Sequence, residues 1–565
     1  MRDSHVLLRA FVDELVRSGV RHACTSPGSR STPLVLALAR DDRLRSWSHV
    51  DERAAGFFAL GAAKACGAPA AVACTSGTAA ANLLPAVVEA HEAGVPLVVL
   101  TADRPAELRD VGAGQTIDQL KLFGTAVRWF VELGADHADA GTVAWVRQLA
   151  CRVVAAATGA TGGRPGPVHV NVPLREPLVP AGPVAGPVPA GRPDGRPWTA
   201  VPPRGTARAG SGRLAGLAHG ARAPLLVAGR VEHGALGGLA AAAARLGWPL
   251  LADPLSGARR GPAAIAHYDA LLRSGPPAEP DLVVRIGDLP TSKPLRTWLA
   301  GLDPAVAQVA FGPAGVWHDP AAVLHELLDG DPVQELERVG DAVEPAWLER
   351  WRAADAQTAA ALEAALGSGL SEPAVARRLA TALPPDGALV VAASMPVRDV
   401  ETFWPALDAP PRVLANRGAN GIDGTASTAF GVAAAHDGPV ALLTGDVTLA
   451  HDLGGLLAAG RLGLALTIVL LDNAGGGIFD FLPVSGVERE VYEPHVATPT
   501  GLDGATVASL FGLRYAAPAG VEELDAALAA ALAAPRTSLV HVRTDRAGNV
   551  ALHRRCWDAV AAARA

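Results

Sequence analysis

Apolar positions along the chain follow two alternating rhythms. Short, nearly continuous apolar runs occupy residues 22–24, 47–50, 71–75, 96–101 and 168–172. Runs of that length, bounded by turn residues, predict buried strands of parallel sheets. Between them the apolar positions recur at helical spacing. The first twenty residues, MRDSHVLLRAFVDELVRSGV, carry charges through their apolar pattern. That pattern predicts an amphipathic helix, not a signal peptide. Strand-like runs return at 224–228 and 282–286, then at 388–392, 440–444, 464–471 and 538–542. From residue 173 to about 207 the chain is rich in Pro, Gly and Ala and has no period, which reads as a linker. Residues 335–367, rich in Glu, Arg and Ala around Trp347 and Trp351, read as helix and connection.

This alternation predicts an α/β chain of three successive doubly wound domains with mainly parallel sheets. The expected boundaries are 1–180, a linker over 181–207, a central domain over 208–345, a helical connection over 346–369 and a last domain over 370–565.

Composition narrows the class. A net charge of −7 over 565 residues leaves no basic footprint for nucleic acid. The longest strongly apolar run, 464–471, is too short to cross a bilayer, so no membrane association is expected. Cys24, Cys66, Cys74, Cys151 and Cys556 form no CxxC pair, which suits buried thiols in a reducing, cytoplasmic setting. Positive charge is nearly all arginine; the lysines are Lys64, Lys121 and Lys293.

The chemistry-bearing residues cluster in the turns after the strand runs. Gly445-Asp446-Val447 closes one run and Asp472-Asn473 another. A carboxylate and an amide oxygen would then stand at the carboxyl ends of two strands of one sheet, where open α/β sheets bind ligands. Both are hard donors suited to Mg²⁺ carrying a diphosphate, although Asp-Asn pairs also serve as plain turn residues. Glu52 sits at a strand-to-helix junction facing an apolar segment; on its own it is better explained as a helix start satisfying backbone donors. In Ser26-Pro27-Gly28-Ser29-Arg30-Ser31-Thr32-Pro33 a strand ends and a helix begins. Hydroxyls, backbone N–H groups and the Arg30 fork favour an anion there. Ala393-Ser394-Met395-Pro396-Val397-Arg398 follows another strand, and Asn416 to Gly424 is a glycine-rich loop before a small-residue helix. Gly475-Gly476-Gly477 permits close backbone approach to a ligand, with Ile478 and Phe479 as an apolar wall. Ser-His-Asp triads, Walker loops, HExxH and GxGxxG do not stand out.

Taken together, SPGSRSTPL (26–34), HVDERAAGFFALG (49–61), TSGTA (75–79), TADRP (101–105), GQTIDQ (114–119), PVRD (396–399), NRGANGIDG (416–424) and the GD…DN pair resemble the thiamine-diphosphate enzymes of the decarboxylase and acetohydroxyacid synthase class. Within that class the chain resembles the carboligase family of menaquinone biosynthesis, over residues 24–479. The resemblance implies a pyrimidine-binding, a central and a diphosphate-binding domain, with active sites between subunits of a homodimer or dimer of dimers. It implies decarboxylation of 2-oxoglutarate and 1,4-addition of the resulting succinic semialdehyde carbanion to isochorismate.

Residue by residue, it places Glu52 at the aminopyrimidine N1′. Asp446, Asn473 and a backbone carbonyl near Gly475 become ligands of Mg²⁺ or Mn²⁺. Ser394, Met395, Asn420, Gly421, Ile422, Gly445, Val447, Ile478 and Phe479 line the cofactor, Ile422 holding it bent. Ser29, Arg30, Arg104, Gln115, Lys293, Ser394, Arg398, Arg417, Ile478 and Phe479 meet substrate, and Glu52, Arg30, Gln115, Arg398 and Arg417 form the implied catalytic set.

Several cations in motif turns suit carboxylate-rich substrates. Two departures stand out. The class's GDG is Gly445-Asp446-Val447 here, and the second member of the basic pair expected after Lys293 is Pro294, with Arg296 as a substitute of unknown position. A different thiamine-diphosphate decarboxylase or carboligase, and a non-catalytic cofactor-binding scaffold, are the competing readings.

Overall fold

A computed structural model describes residues 3–134, 137–179, 189–201, 212–232, 236–312, 316–340 and 342–565. About half of the proposed linker falls outside the described residues. The strands form three wholly parallel sheets. The first contains β1 (His22–Thr25), β2 (Arg45–Ser48), β3 (Ala70–Cys74), β4 (Leu97–Asp103), β5 (Trp129–Glu132) and β6 (Pro167–Pro173), in the order β2-β1-β3-β4-β6-β5. The second contains β7 (Pro224–Ala228), β8 (Leu250–Ala252), β9 (Leu282–Ile286), β10 (Ala307–Phe311) and β11 (Glu326–Leu328), in the order β11-β10-β9-β7-β8. The third contains β12 (Ala388–Val391), β13 (Arg412–Leu414), β14 (Val440–Gly445), β15 (Thr467–Asp472), β16 (Arg514–Ala516) and β17 (Ser538–Arg543), in the order β13-β12-β14-β15-β17-β16.

Central strands are largely apolar because helices flank both faces of such sheets; Ala-Ala-Val-Ala-Cys of β3 is buried at every position. The expected α/β class and parallel sheets are therefore observed. The run at 464–471 enters its sheet only at Thr467. Strands β5, β8, β10, β11, β13 and β16 escaped the pattern analysis; several are three-residue edge strands with little apolar signal. The amino-terminal amphipathic helix is present as Asp3–Arg17. Four cysteines are buried, but Cys66 is exposed, because it lies in the last turn of its helix. Among the described residues, no helix is long and apolar enough to cross a membrane.

The chain divides into two compact units. One comprises Met1–Arg204 with Asn416–His436 and His451–Leu464; the other comprises Gly205–Ala415, Asp437–Ala450 and Ala465–Ala565. In the first unit, the helix Glu52–Cys66 packs tightly against the helix Thr425–Ala435. Glycines let the two backbones meet. A Cβ on Gly61 would lie 2.0 Å from the Thr428 carbonyl oxygen, and one on Gly431 would lie 2.0 Å from that of Phe58. In the second unit, buried Arg259 donates to the carbonyls of Ala252 (2.7 Å), Glu401 (2.8 Å) and Trp404 (3.0 Å), tying the helix Met395–Phe403 to the turn after β8. Tyr268 donates to Glu401 beside it.

Candidate active site

In the first unit the predicted residues gather at the carboxyl ends of β1 to β4. The Asp51 carboxylate caps the helix Glu52–Cys66, accepting from the N–H groups of Arg53 (2.8 Å) and Ala54 (3.3 Å). That cap leaves Glu52 as the first helical residue. Glu52 is half-buried rather than enclosed by apolar side chains, because it stands on the first turn. Its negative charge reaches the Cys74 thiol at the end of β3, which burial chiefly, and then Glu52, pushes up.

Ser29 is exposed and Arg30 buried at the start of the helix Thr32–Ala39. Arg30 donates to the Leu174 carbonyl (2.7 Å) and pairs with Glu176 (3.4 Å), so in this structure its fork turns to the chain itself, while Nε lacks a partner. Burial, and then the charge of Arg104, lowers the pKa of Arg30; the two guanidiniums are neighbours. Arg104 donates to the Ser76 hydroxyl (2.7 Å) and the Gly114 carbonyl (2.9 Å). Ser76 donates to the Gln115 carbonyl (2.9 Å), and the Gln115 amide returns a bond to the Ser76 carbonyl (3.0 Å). Ser76, Arg104 and Gln115 thus form one hydrogen-bonded group, whose Arg104 charge reaches Arg30. Gln115 itself has φ 55°, a left-handed conformation uncommon outside glycine.

The glycine-rich loop also lies in this unit. Asn420, Gly421 and Ile422 precede the helix Thr425–Ala435, with Asn420 at φ 63° and Arg417 half-buried. Two acids absent from the sequence expectations hold the loop and the start of the helix after it. Glu89 accepts from the N–H groups of Gly418 (2.9 Å) and Ala419 (2.7 Å), and Asp452 accepts from Ser427 N–H (2.7 Å) and hydroxyl (3.1 Å). Burial raises the Asp452 carboxyl to about 6. Their only signal in the sequence is an acid on an otherwise apolar segment.

In the second unit, Gly445 ends β14 and Asp446 begins the next helix, while Asn473 follows the last residue of β15, the neighbouring strand. The two residues therefore share one rim of the sheet, as their spacing predicted. Val447 is half-buried, and its backbone N–H and that of Gly475 turn toward the Asp446 carboxylate. Burial first, and then the charge of Asp472, raises that carboxyl to about 6. Asp446 Oδ2 and Asn473 Oδ1 are buried and accept no hydrogen bond. Buried acceptors without donors are costly, and a hard cation satisfies both.

Glycine makes room around them. Gly475 has φ 137°, and a Cβ there would lie 2.6 Å from the Ala497 carbonyl oxygen. Ala474, at φ 60°, continues this tight backbone path. Among the described residues, no three His, Cys, Asp or Glu side chains cluster as a metal site; this rim offers one carboxylate, one amide and backbone carbonyls. That donor set fits Mg²⁺ or Mn²⁺ better than zinc. Ile478 is half-buried and Phe479 exposed in the following 3₁₀ turn.

Ser394 precedes the helix Met395–Phe403 with φ 72° and ψ −132°, and the Arg398 guanidinium bonds back to the Ser394 carbonyl. Strain of this kind persists where the surroundings over-determine it and is common at ligand sites. Lys293 is exposed at the start of the helix Lys293–Ala300, not in a turn. Arg296, one turn on, donates to the carbonyls of Ser292 and Thr291 (both 3.4 Å). It lies close enough to Arg398 for its charge, after burial, to lower the Arg398 pKa.

Three family profiles match in succession: the thiamine pyrophosphate (diphosphate) enzyme N-terminal TPP binding domain over 6–122, the middle domain over 216–391 and the C-terminal TPP binding domain over 397–542. A 2-succinyl-5-enolpyruvyl-6-hydroxy-3-cyclohexene-1-carboxylate synthase of Geobacillus thermodenitrificans is 43% identical over 98% of this chain and 95% of its own length. The chain belongs to this synthase family of thiamine-diphosphate enzymes. Synthases of the same name from Chloroflexus aurantiacus (43% identical, 98% of this chain and 96% of that protein) and Halobacterium salinarum (41%, 95% of each) are similar along the same span. Membership in the family agrees with both rims. One offers a carboxylate at the head of a helix beside arginines, and the other offers hard oxygens beside glycines.

Proposed function

We propose that this chain decarboxylates 2-oxoglutarate and adds the resulting four-carbon unit, at the carbon β to the ring carboxylate, to isochorismate. The product is 2-succinyl-5-enolpyruvyl-6-hydroxy-3-cyclohexene-1-carboxylate. The observation that carries the reading is the pair of buried oxygens without donors, Asp446 Oδ2 and Asn473 Oδ1, in a chain of this family. With a carbonyl near Gly475 they would hold Mg²⁺ or Mn²⁺ and, through it, a diphosphate. Thiamine diphosphate, when bound, supplies the electron sink that lets a 2-oxo acid lose carbon dioxide.

The residues of the chain do the rest. Glu52 holds a proton at the aminopyrimidine N1′. Ile422 would support the cofactor, and Ser394, Met395, Asn420, Gly421, Gly445 and Val447 would shape its surroundings. Ile478 and Phe479 form an apolar wall that excludes water. Arg30 and Arg104, with Ser29 and Gln115, receive carboxylate groups, as do Lys293, Arg398 and Arg417. Arg296 takes the place of the basic residue that Pro294 displaces, since its charge already bears on Arg398. Each charge-assisted bond to a carboxylate contributes about 1.5–3 kcal/mol. The working form is a homodimer or dimer of dimers in the cytoplasm.

Carbon dioxide release tests the substrate half. 2-Oxoglutarate, in the presence of thiamine diphosphate and Mg²⁺, is expected to be consumed in preference to pyruvate. Preference for pyruvate would favour a different carboligase, and release from neither would favour a scaffold.

A further inference from the structure

Glu372 is the first residue of the helix Glu372–Ala382, after the Ser371 cap, a position at which glutamate is ordinarily solvated. Here it is only 1% exposed. Its Oε1 accepts from the Asn473 side-chain amide (Nδ2, 2.8 Å) and from the Thr544 hydroxyl (2.9 Å). Asn473 follows β15, and Thr544 follows β17, the strand paired with it. One buried carboxylate therefore ties two adjacent strand ends together at the rim where Asp446 stands.

An asparagine amide has two ends of nearly equal size and opposite hydrogen-bonding character. Only the oxygen can ligate a cation. The bond to Glu372 engages Nδ2, which leaves Oδ1 as the buried end without a donor. Turning the amide over would set oxygen against carboxylate and present an N–H pair to the cation. Gly477 guards the same nitrogen: a Cβ there would lie 2.8 Å from Asn473 Nδ2.

From this geometry we infer that Glu372 is a positioning residue that fixes the Asn473 amide with its oxygen toward the divalent cation. The inference rests on the cation-site reading proposed above. Outer hydrogen-bond partners of metal ligands typically govern affinity by about 10- to 100-fold.

The test is Mn²⁺ affinity, read from the electron paramagnetic resonance of free Mn²⁺ at fixed thiamine diphosphate. Glu372→Gln keeps an oxygen acceptor and is expected to stay within about threefold of the unsubstituted protein. Glu372→Leu removes the acceptor and is expected to weaken Mn²⁺ about 10- to 100-fold. A purely structural role would lower the melting temperature without cation and leave Mn²⁺ affinity unchanged in the variant that remains folded.

If Glu372→Leu fails to fold, Glu372→Asp supplies the second variant. Its side chain is one methylene shorter, which withdraws the acceptor from the Asn473 amide while keeping the charge, and it is expected to weaken Mn²⁺ about tenfold. Unchanged Mn²⁺ affinity in Glu372→Asp, or in a folded Glu372→Leu, overturns the inference. Asp446→Ala distinguishes the two levels. If it too leaves Mn²⁺ affinity intact, the cation-site reading fails; if it alone weakens binding, only the role of Glu372 fails.

Discussion

The first and third sheets share one strand order position by position, β2-β1-β3-β4-β6-β5 against β13-β12-β14-β15-β17-β16, yet their rims are opposite in character. After β3 comes Thr75-Ser76-Gly77, where the Ser76 hydroxyl is already engaged by Arg104 and Gln115. β14, the equivalent strand, ends at Gly445 and is followed by Asp446-Val447. The buried groups left without partners differ in the same sense. In the first unit they include Arg30 Nε, a donor; at the rim of the third sheet they include Asp446 Oδ2 and Asn473 Oδ1, two acceptors, with Arg546 Nη1, a donor, close to Gly475. On the proposed reading, one frame receives anions and the other a cation. The sheet supplies the crevice, and a few turn residues decide the chemistry.

Breaking each rim separately sharpens this contrast. The largest effect is expected for Glu52→Gln: turnover falls about 10²- to 10⁴-fold while thiamine diphosphate still binds. Carbon dioxide release and cofactor titration measure the two halves, and full activity would remove Glu52 from the mechanism. Asp446→Ala reverses the pattern. Cation-dependent cofactor binding is expected to weaken by more than the about 10- to 100-fold set by outer partners of a metal ligand. Unchanged binding, measured by calorimetry with and without Mg²⁺, would count against the cation rim.

Stability separates the units further. Gly61→Val forces a side chain against the Thr428 carbonyl and is expected to destabilise the first unit by about 1–3 kcal/mol in urea unfolding. The smallest effect concerns pH. His169 Nε2 lies 2.7 Å from the Thr101 hydroxyl, which donates to Asn171 Oδ1. His169 therefore donates through Nε2 and keeps Nδ1 bare, and burial lowers its pKa to about 3. A folded value below the unfolded one, about 6.5, means stability is full above pH 6.5 and declines as pH falls toward 3. Between pH 6.5 and 5 the loss is on the order of 2 kcal/mol. His169→Gln is expected to flatten that slope in urea titrations, whatever its stability at pH 7; an unchanged slope would contradict the assignment.

Much of this was legible in the sequence, and the limits have physical causes. Buried central strands announce themselves as apolar runs, so β3, β7, β9 and β14 were found within a residue or so. Three-residue edge strands such as β13 and β16 carry too few apolar positions to do so. Asp446 and Asn473 were readable because each follows its strand directly. Glu372, Glu89 and Asp452 were not, since each acts on a segment remote in sequence or across a helix start. The matching order of the first and third sheets was also invisible, because topology is set by which strands pair and not by local residue pattern.

The most direct test of the central claim is mass spectrometry of the product after incubation with thiamine diphosphate, Mg²⁺, 2-oxoglutarate and isochorismate. The account predicts one product with the summed mass of the two substrates less carbon dioxide, absent when Mg²⁺ is removed. Consumption of 2-oxoglutarate without joining isochorismate would contradict the acceptor. If neither substrate changes while the cofactor binds, the two rims are scaffolding and not an active site.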